Sequence, residues 1–103
     1  MFKLKQSGPA AGDRTIPYEV ILDKEYTVGE FIDAALSRDK KGFGYIGIDD
    51  GHSCVGNPRC EYAVGLLREN RMGSDDLKKE VVSVKANGVI TESNMCYLIQ
   101  VKA

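Results

Sequence analysis

The sequence predicts an α+β fold: one domain in which a single main helix packs on one face of a mixed sheet of about five to six strands. Three observations carry that expectation. The stretch Tyr26-Thr27-Val28-Gly29-Glu30-Phe31-Ile32-Asp33-Ala34-Ala35-Leu36 writes out a helix start in full. Segments on both sides of it alternate apolar and polar residues, as half-buried strands do. A length of 103 residues suits one domain with its own core, with no need for disulfides or metal.

The elements follow in order. Phe2 and Leu4 alternate with Lys3 and Lys5, giving a short first strand. Gly8-Pro9-Ala10-Ala11-Gly12-Asp13 is turn-rich and reads as a loop. Tyr18, Val20 and Leu22 form the apolar side of a second strand, and Pro17 near its start marks an edge or entry position. The helix over residues 28–37 opens with a capping box, in which Thr27 and Glu30 each accept from the other's backbone N–H. Tyr26 and Phe31 flank that cap as a hydrophobic staple, and Val28, Phe31, Ile32, Ala35 and Leu36 make one apolar stripe. Lys40-Lys41-Gly42 supplies stop signals.

Residues 43–48, aromatic and β-branched, predict a third strand. Residues 49–59 form the least regular part of the chain and contain its one histidine. Cys60, Tyr62, Val64 and Leu66 alternate as a fourth strand. Ser74-Asp75-Asp76-Leu77 resembles a capped helical turn. Residues 81–86 and 95–102 are the last two strands, the latter with Tyr97, Ile99 and Val101 on one face. Asn87-Gly88 between them reads as a turn, either a tight hairpin or the start of a wider loop over 87–94.

Composition narrows the function classes. A formal net charge of -1 with scattered basic residues argues against nucleic acid, which demands a basic face. No apolar run is long enough to span a membrane. The opening Met1-Phe2-Lys3-Leu4-Lys5 lacks the apolar core of an export signal, and three cysteines is an odd count, so a cytoplasmic protein with reduced thiols is expected.

Two strands, the helix, two strands, a short turn and two strands, with Thr27-Val28-Gly29-Glu30 directly after the second strand, resembles the ubiquitin-like β-grasp. The resemblance covers residues 1–48 and the closing strand. It implies that the first and last strands lie side by side, in parallel, at the centre of the sheet. Val101-Lys102-Ala103 lacks the Gly-Gly tail of the modifier branch, and residues 51–76 exceed a minimal grasp, so no conjugating role is expected. Gly44-Tyr45-Ile46-Gly47-Ile48, followed by Gly51-His52 and Cys60-Glu61-Tyr62, is also similar to small bacterial proteins of gut anaerobes, often in phage-like or conjugative regions. That likeness carries no catalytic residue over.

Several constellations invite chemistry. Gly42, Gly44 and Gly47 match a dinucleotide-binding spacing, but they follow a helix and lie within a strand, where no helix N-terminus can hold a pyrophosphate. A glycine-bearing strand packed closely by the helix is the simpler reading. His52, Cys54, Cys60 and Cys96 are the candidate metal ligands, although no closely spaced ligand pair is present. His52 and Cys54 could form a thiolate–imidazole pair, with Asp49 or Asp50 orienting the ring. Asp50-Gly51 is more simply a turn.

The expectation is therefore a non-enzymatic protein–protein interaction module without cofactor, a monomer or weak dimer that presents a sheet face or an edge. Its candidate contact residues are Tyr45, Asp50, His52, Arg59 and Tyr62. The alternative is a small thiol- or zinc-dependent enzyme or metal-binding protein built on His52, Cys54 and Cys60.

Overall fold

A computed structural model describes residues 1–10, 15–39, 43–50, 53–55, 72–89 and 95–103. The elements are β1 (Lys3–Gln6), β2 (Thr15–Ile21), α1 (Val28–Arg38), β3 (Tyr45–Ile48), β4 (Cys54–Val55), α2 (Ser74–Leu77), β5 (Val81–Val89) and β6 (Met95–Val101). They form an α+β domain around one mixed sheet of order β1-β2-β5-β6-β3-β4. The expected fourth strand over 60–66 lies outside the described residues.

α1 begins as its sequence dictates. The Thr27 hydroxyl accepts from the Glu30 N–H at 3.2 Å and the Glu30 carboxylate accepts from the Thr27 N–H at 3.1 Å, closing the capping box. The apolar stripe lies on the sheet. Phe31 is 0% exposed, Val28 and Ala35 are buried with it, and Ile32 and Leu36 pack against the same core. Phe31 stacks on Phe2 with ring centroids 4.9 Å apart and meets Tyr97 edge-on at 5.4 Å. Tyr97 is also met edge-on by Phe43. Its hydroxyl donates 2.6 Å to Asp39, the residue that ends the helix. One aromatic cluster therefore ties the chain start, α1, the entry to β3 and the closing strand together.

Strand order departs from the expectation. β1 pairs only with β2, at the edge of the sheet, while β6 runs antiparallel to β5 and parallel to β3. The parallel pair that the β-grasp resemblance places between first and last strands instead joins last and third. Phe2 and Ile99 nevertheless share the core, with Leu4 and Val101 packed against it, because side chains meet beneath the helix without their strands being adjacent.

Two local expectations are corrected. β2 is internal, between β1 and β5, so Pro17 does not mark an edge strand. Pro17 stands opposite Asn87 of β5, and its carbonyl accepts from Ser7 just beyond the end of β1. In an antiparallel strand the N–H of a residue points to the same side as its carbonyl. The missing donor thus faces the side where the ladder is already ending. Asn87-Gly88 is likewise no turn. Both residues are within β5, opposite Cys96 and Met95, and the reversal lies between Val89 and Met95. A Cβ at Gly88 would sit 3.0 Å from the Met95 sulfur and 3.2 Å from Tyr18 Cε2. Glycine is used here for close approach on the packed face, which a sequence pattern reads as turn chemistry.

Candidate functional site

α1 covers one face of the sheet, and the pairing register gives the composition of the other. Directly opposed residues share a face, so one continuous row runs Lys5, Glu19, Lys85, Leu98, Gly47, Cys54 across all six strands. A second row holds Pro17, Asn87, Cys96 and Tyr45. A third pairs Lys3 with Ile21 and Ser83 with Gln100. Leu98 is 41% exposed and Ile21 47% exposed, and Lys3, Lys5, Glu19, Ser83, Lys85, Asn87 and Gln100 are exposed too. Between β2 and β5 this face sinks into a groove of about 450 Å³ walled by Ser7, Pro17, Glu19, Ser83, Lys85 and Asn87. A smaller dimple of about 60 Å³ joins Asp49, Lys85, Leu98 and Gln100.

The other half of the face is closed by Tyr45. A Cβ on Gly47 would lie 2.5 Å from Cε1 and Cζ of Tyr45, so the phenol lies along its own strand over the glycine. Gly47 therefore exists for Tyr45 on this face. It does not serve helix packing on the opposite one, as its sequence setting suggests. The register puts Cys54 on one side of that phenol and Leu98 on the other. Tyr45 is half-buried, and its hydroxyl pKa is raised by burial first, with Cys54, Asp50 and Cys96 adding to the effect.

Cys54 and Cys96 share this face without converging. They are two strands and two residues apart, a Cα separation of about 12 Å from strand spacing and rise. Disulfide geometry needs less than about 7 Å. Among the described residues no three His, Cys, Asp or Glu side chains gather as metal ligands. His52, Cys60, Arg59 and Tyr62 lie outside the described residues.

Asp50 has a structural role. Its carboxylate accepts from the Ser53 N–H at 2.8 Å and from the Ser53 hydroxyl at 2.9 Å, closing the turn between β3 and β4. Ser53, 8% exposed, also lies 3.1 Å from the Asp76 carboxylate of α2, which pairs with Lys79 at 2.9 Å. Lys79 above all holds the Asp76 pKa below its ordinary value; burial opposes it, and the Gly73 N–H and the Ser53 hydroxyl add smaller lowering effects. Asp50 is thus an anchor between turn and helix.

Among the described residues, the β1 edge of the sheet is blunt. β1 is four residues long and carries Lys3 and Lys5. Short, charged edges resist strand addition. Of the two anticipated contact residues that are described, Tyr45 joins the open face and Asp50 does not. Lys85, Leu98, Glu19 and Ile21, which dominate it, were legible as the outward-facing alternates of strands whose inward residues the alternation identifies.

Comparison with protein-family models, with curated proteins and with solved structures finds nothing that matches this chain. No helix among the described residues is long and apolar enough to cross a membrane.

Proposed function

We propose that the chain is a non-enzymatic protein-interaction module that binds its partner through the open face of the sheet. The observation that carries this reading is the exposure of Ile21, Lys85 and Leu98 on one continuous surface. Paired with a groove and with the short, lysine-bearing edge strand β1, that surface favours face contact over strand addition there. A helix laid over one face of a mixed sheet leaves a second face to present.

A photo-crosslinking side chain at Leu98, compared with one at the exposed helix residue Asp33, tests the reading in extract of the cells that make the protein. Adducts of defined mass from position 98 and none from position 33 are expected. Adducts from 33 alone, or from neither, overturn it.

A further inference from the structure

Ion pairing is distributed unevenly over the molecule. Away from the open face, Lys24 pairs with Glu30, Arg38 with Asp39, Lys79 with Asp76 and Lys102 with Glu80. Lys78, beside α2, is the exception among the described cations there. On the open face the pattern reverses. Lys3, Lys5 and Lys85 have no ion-pair partner among the described residues. Glu19 stands between Lys5 and Lys85 in the register without closing on either. A chain of net charge -1 thus leaves three uncommitted ammonium groups on one surface, against Glu19 and the rim residue Asp49.

Lys5 and Lys85 are about 10 Å apart, from two strand spacings; Lys85 lines the groove, and Lys5 stands on the far side of Glu19, which also lines it. Ile21 and Leu98 lie beside them, exposed. Resting on the proposed role of this face, we infer that the partner contributes an acidic segment with interspersed apolar side chains, its carboxylates reaching Lys5 and Lys85 and its apolar groups covering Leu98 and Ile21. Complementary charge at such a surface steers the encounter and selects the partner. Nucleic acid is the poorer fit. The described part of the face offers three lysines and no arginine, Glu19 stands among them, and its one aromatic, Tyr45, is folded down over Gly47. A second copy is also a poorer fit, because face-to-face packing would desolvate Lys85 near the centre of the sheet.

The test uses the full chain, labelled for amide NMR, and synthetic peptides of repeated Glu-Glu-Leu, Gln-Gln-Leu and Lys-Lys-Leu. The Glu peptide should shift the amides of Ile21, Ser83, Lys85 and Leu98, more strongly at low salt, and the Lys peptide should not. The double variant Lys5→Glu/Lys85→Glu should weaken that binding about tenfold, two exposed pairs of roughly 0.7 kcal/mol each having been lost. Glu19→Lys, which adds a cation, should tighten it, so the inference does not depend on loss alone.

Shifts at these amides from the Gln or Lys peptide as strong as from the Glu peptide would overturn the acidic partner while keeping the face as the contact surface. No shifts from any peptide, or shifts confined to α1, would overturn both. Tighter binding of a single-stranded oligonucleotide or of phosphatidylserine vesicles, lost with Lys85→Glu, would assign the face to a polyanion. A concentration-dependent dimer by sedimentation, abolished by the same variant, would assign it to a second copy. Either result overturns the inference.

Discussion

The two faces of the sheet are built from alternate residues of the same strands, yet they differ in almost every physical respect. On β6, Tyr97 and Ile99 are sealed beneath α1 while Leu98 and Gln100, which alternate with them, are exposed. On β5, Val84 and Ala86 are buried and Ser83, Lys85 and Asn87 are not. The helix-covered face is apolar and aromatic, and its polar tips are satisfied, as the Tyr97 hydroxyl on Asp39 shows. The open face mixes uncommitted charge with isolated apolar groups. Stability therefore rests on one face, and the residues of the other can change at little cost to the fold.

The largest expected effect follows directly. Phe31→Ala removes the ring that Phe2, Tyr26 and Tyr97 all touch and should destabilise the protein by about 3–5 kcal/mol in denaturant titration. A loss below about 1 kcal/mol would mean that the covered face does not carry the energy assigned to it.

Tyr97→Phe keeps the ring and deletes the hydroxyl. It should cost about 1–3 kcal/mol, because Asp39 loses the donor that burial has paired with it. The Tyr97 phenol is held protonated by burial first and by Asp39 second, so its pKa lies above that of an unfolded tyrosine. Its contribution is complete below the ordinary tyrosine range and is lost as pH rises through and beyond it. The wild type should therefore lose stability in alkali faster than the Phe variant; parallel alkaline curves would remove the hydrogen bond from the account.

A third change probes the boundary between the faces. Gly47→Ala places a methyl where the Tyr45 phenol lies, so the phenol must swing off the sheet. A loss of about 1–2 kcal/mol is expected from this overpacking. In combination with Tyr45→Ala the loss should shrink, since the clash is gone. Additive effects of the two changes would show that the phenol does not occupy that site.

Legibility in the sequence followed the range of the interaction. Thr27, Glu30 and the stripe from Val28 to Leu36 interact within a few residues, and the helix formed as they dictate. Strand alternation was readable for the same reason, so Tyr97 and Ile99 were placed on one face correctly. Strand order was not readable, because whether β1 lies against β6 or β2 depends on loop paths and long-range pairing. Pro17, Gly47 and Gly88 misled alike. Each carries a local signal whose meaning is set by a neighbour distant in sequence or across the sheet: the end of β1, the Tyr45 ring, the Met95 sulfur. Tyr45 was anticipated as a contact residue and is on the open face, while Lys85 and Leu98 went unremarked because they complete no motif.

Asp76 offers a smaller, pH-dependent test at the junction of α2 and the β3–β4 turn. Its folded pKa lies below the ordinary value of 3.8, chiefly through Lys79. Its contribution is therefore present above the ordinary carboxylate range and fades as pH falls through the folded value. Asp76→Asn should be less stable than the wild type at neutral pH, with the two converging in acid. A difference that persists unchanged at the lowest pH would point to the Ser53 contact, and not to charge, as what matters there.

The smallest effect is the most diagnostic for the comparison. Leu98 sits in the middle of β6 between two fully buried neighbours, Tyr97 and Ile99, and a reading that ignored alternation would rank all three alike. Its side chain is 41% exposed and faces away from α1, so removing it opens no enclosed cavity. Leu98→Thr keeps a β-compatible side chain and should change stability by no more than about 0.5 kcal/mol. If the open face is a contact surface, the same substitution should abolish photo-crosslinking from a neighbouring position such as Ser83. A thermal shift as large as that of Ile99→Thr would instead mean that Leu98 is packed in solution, and that the face described as open is covered.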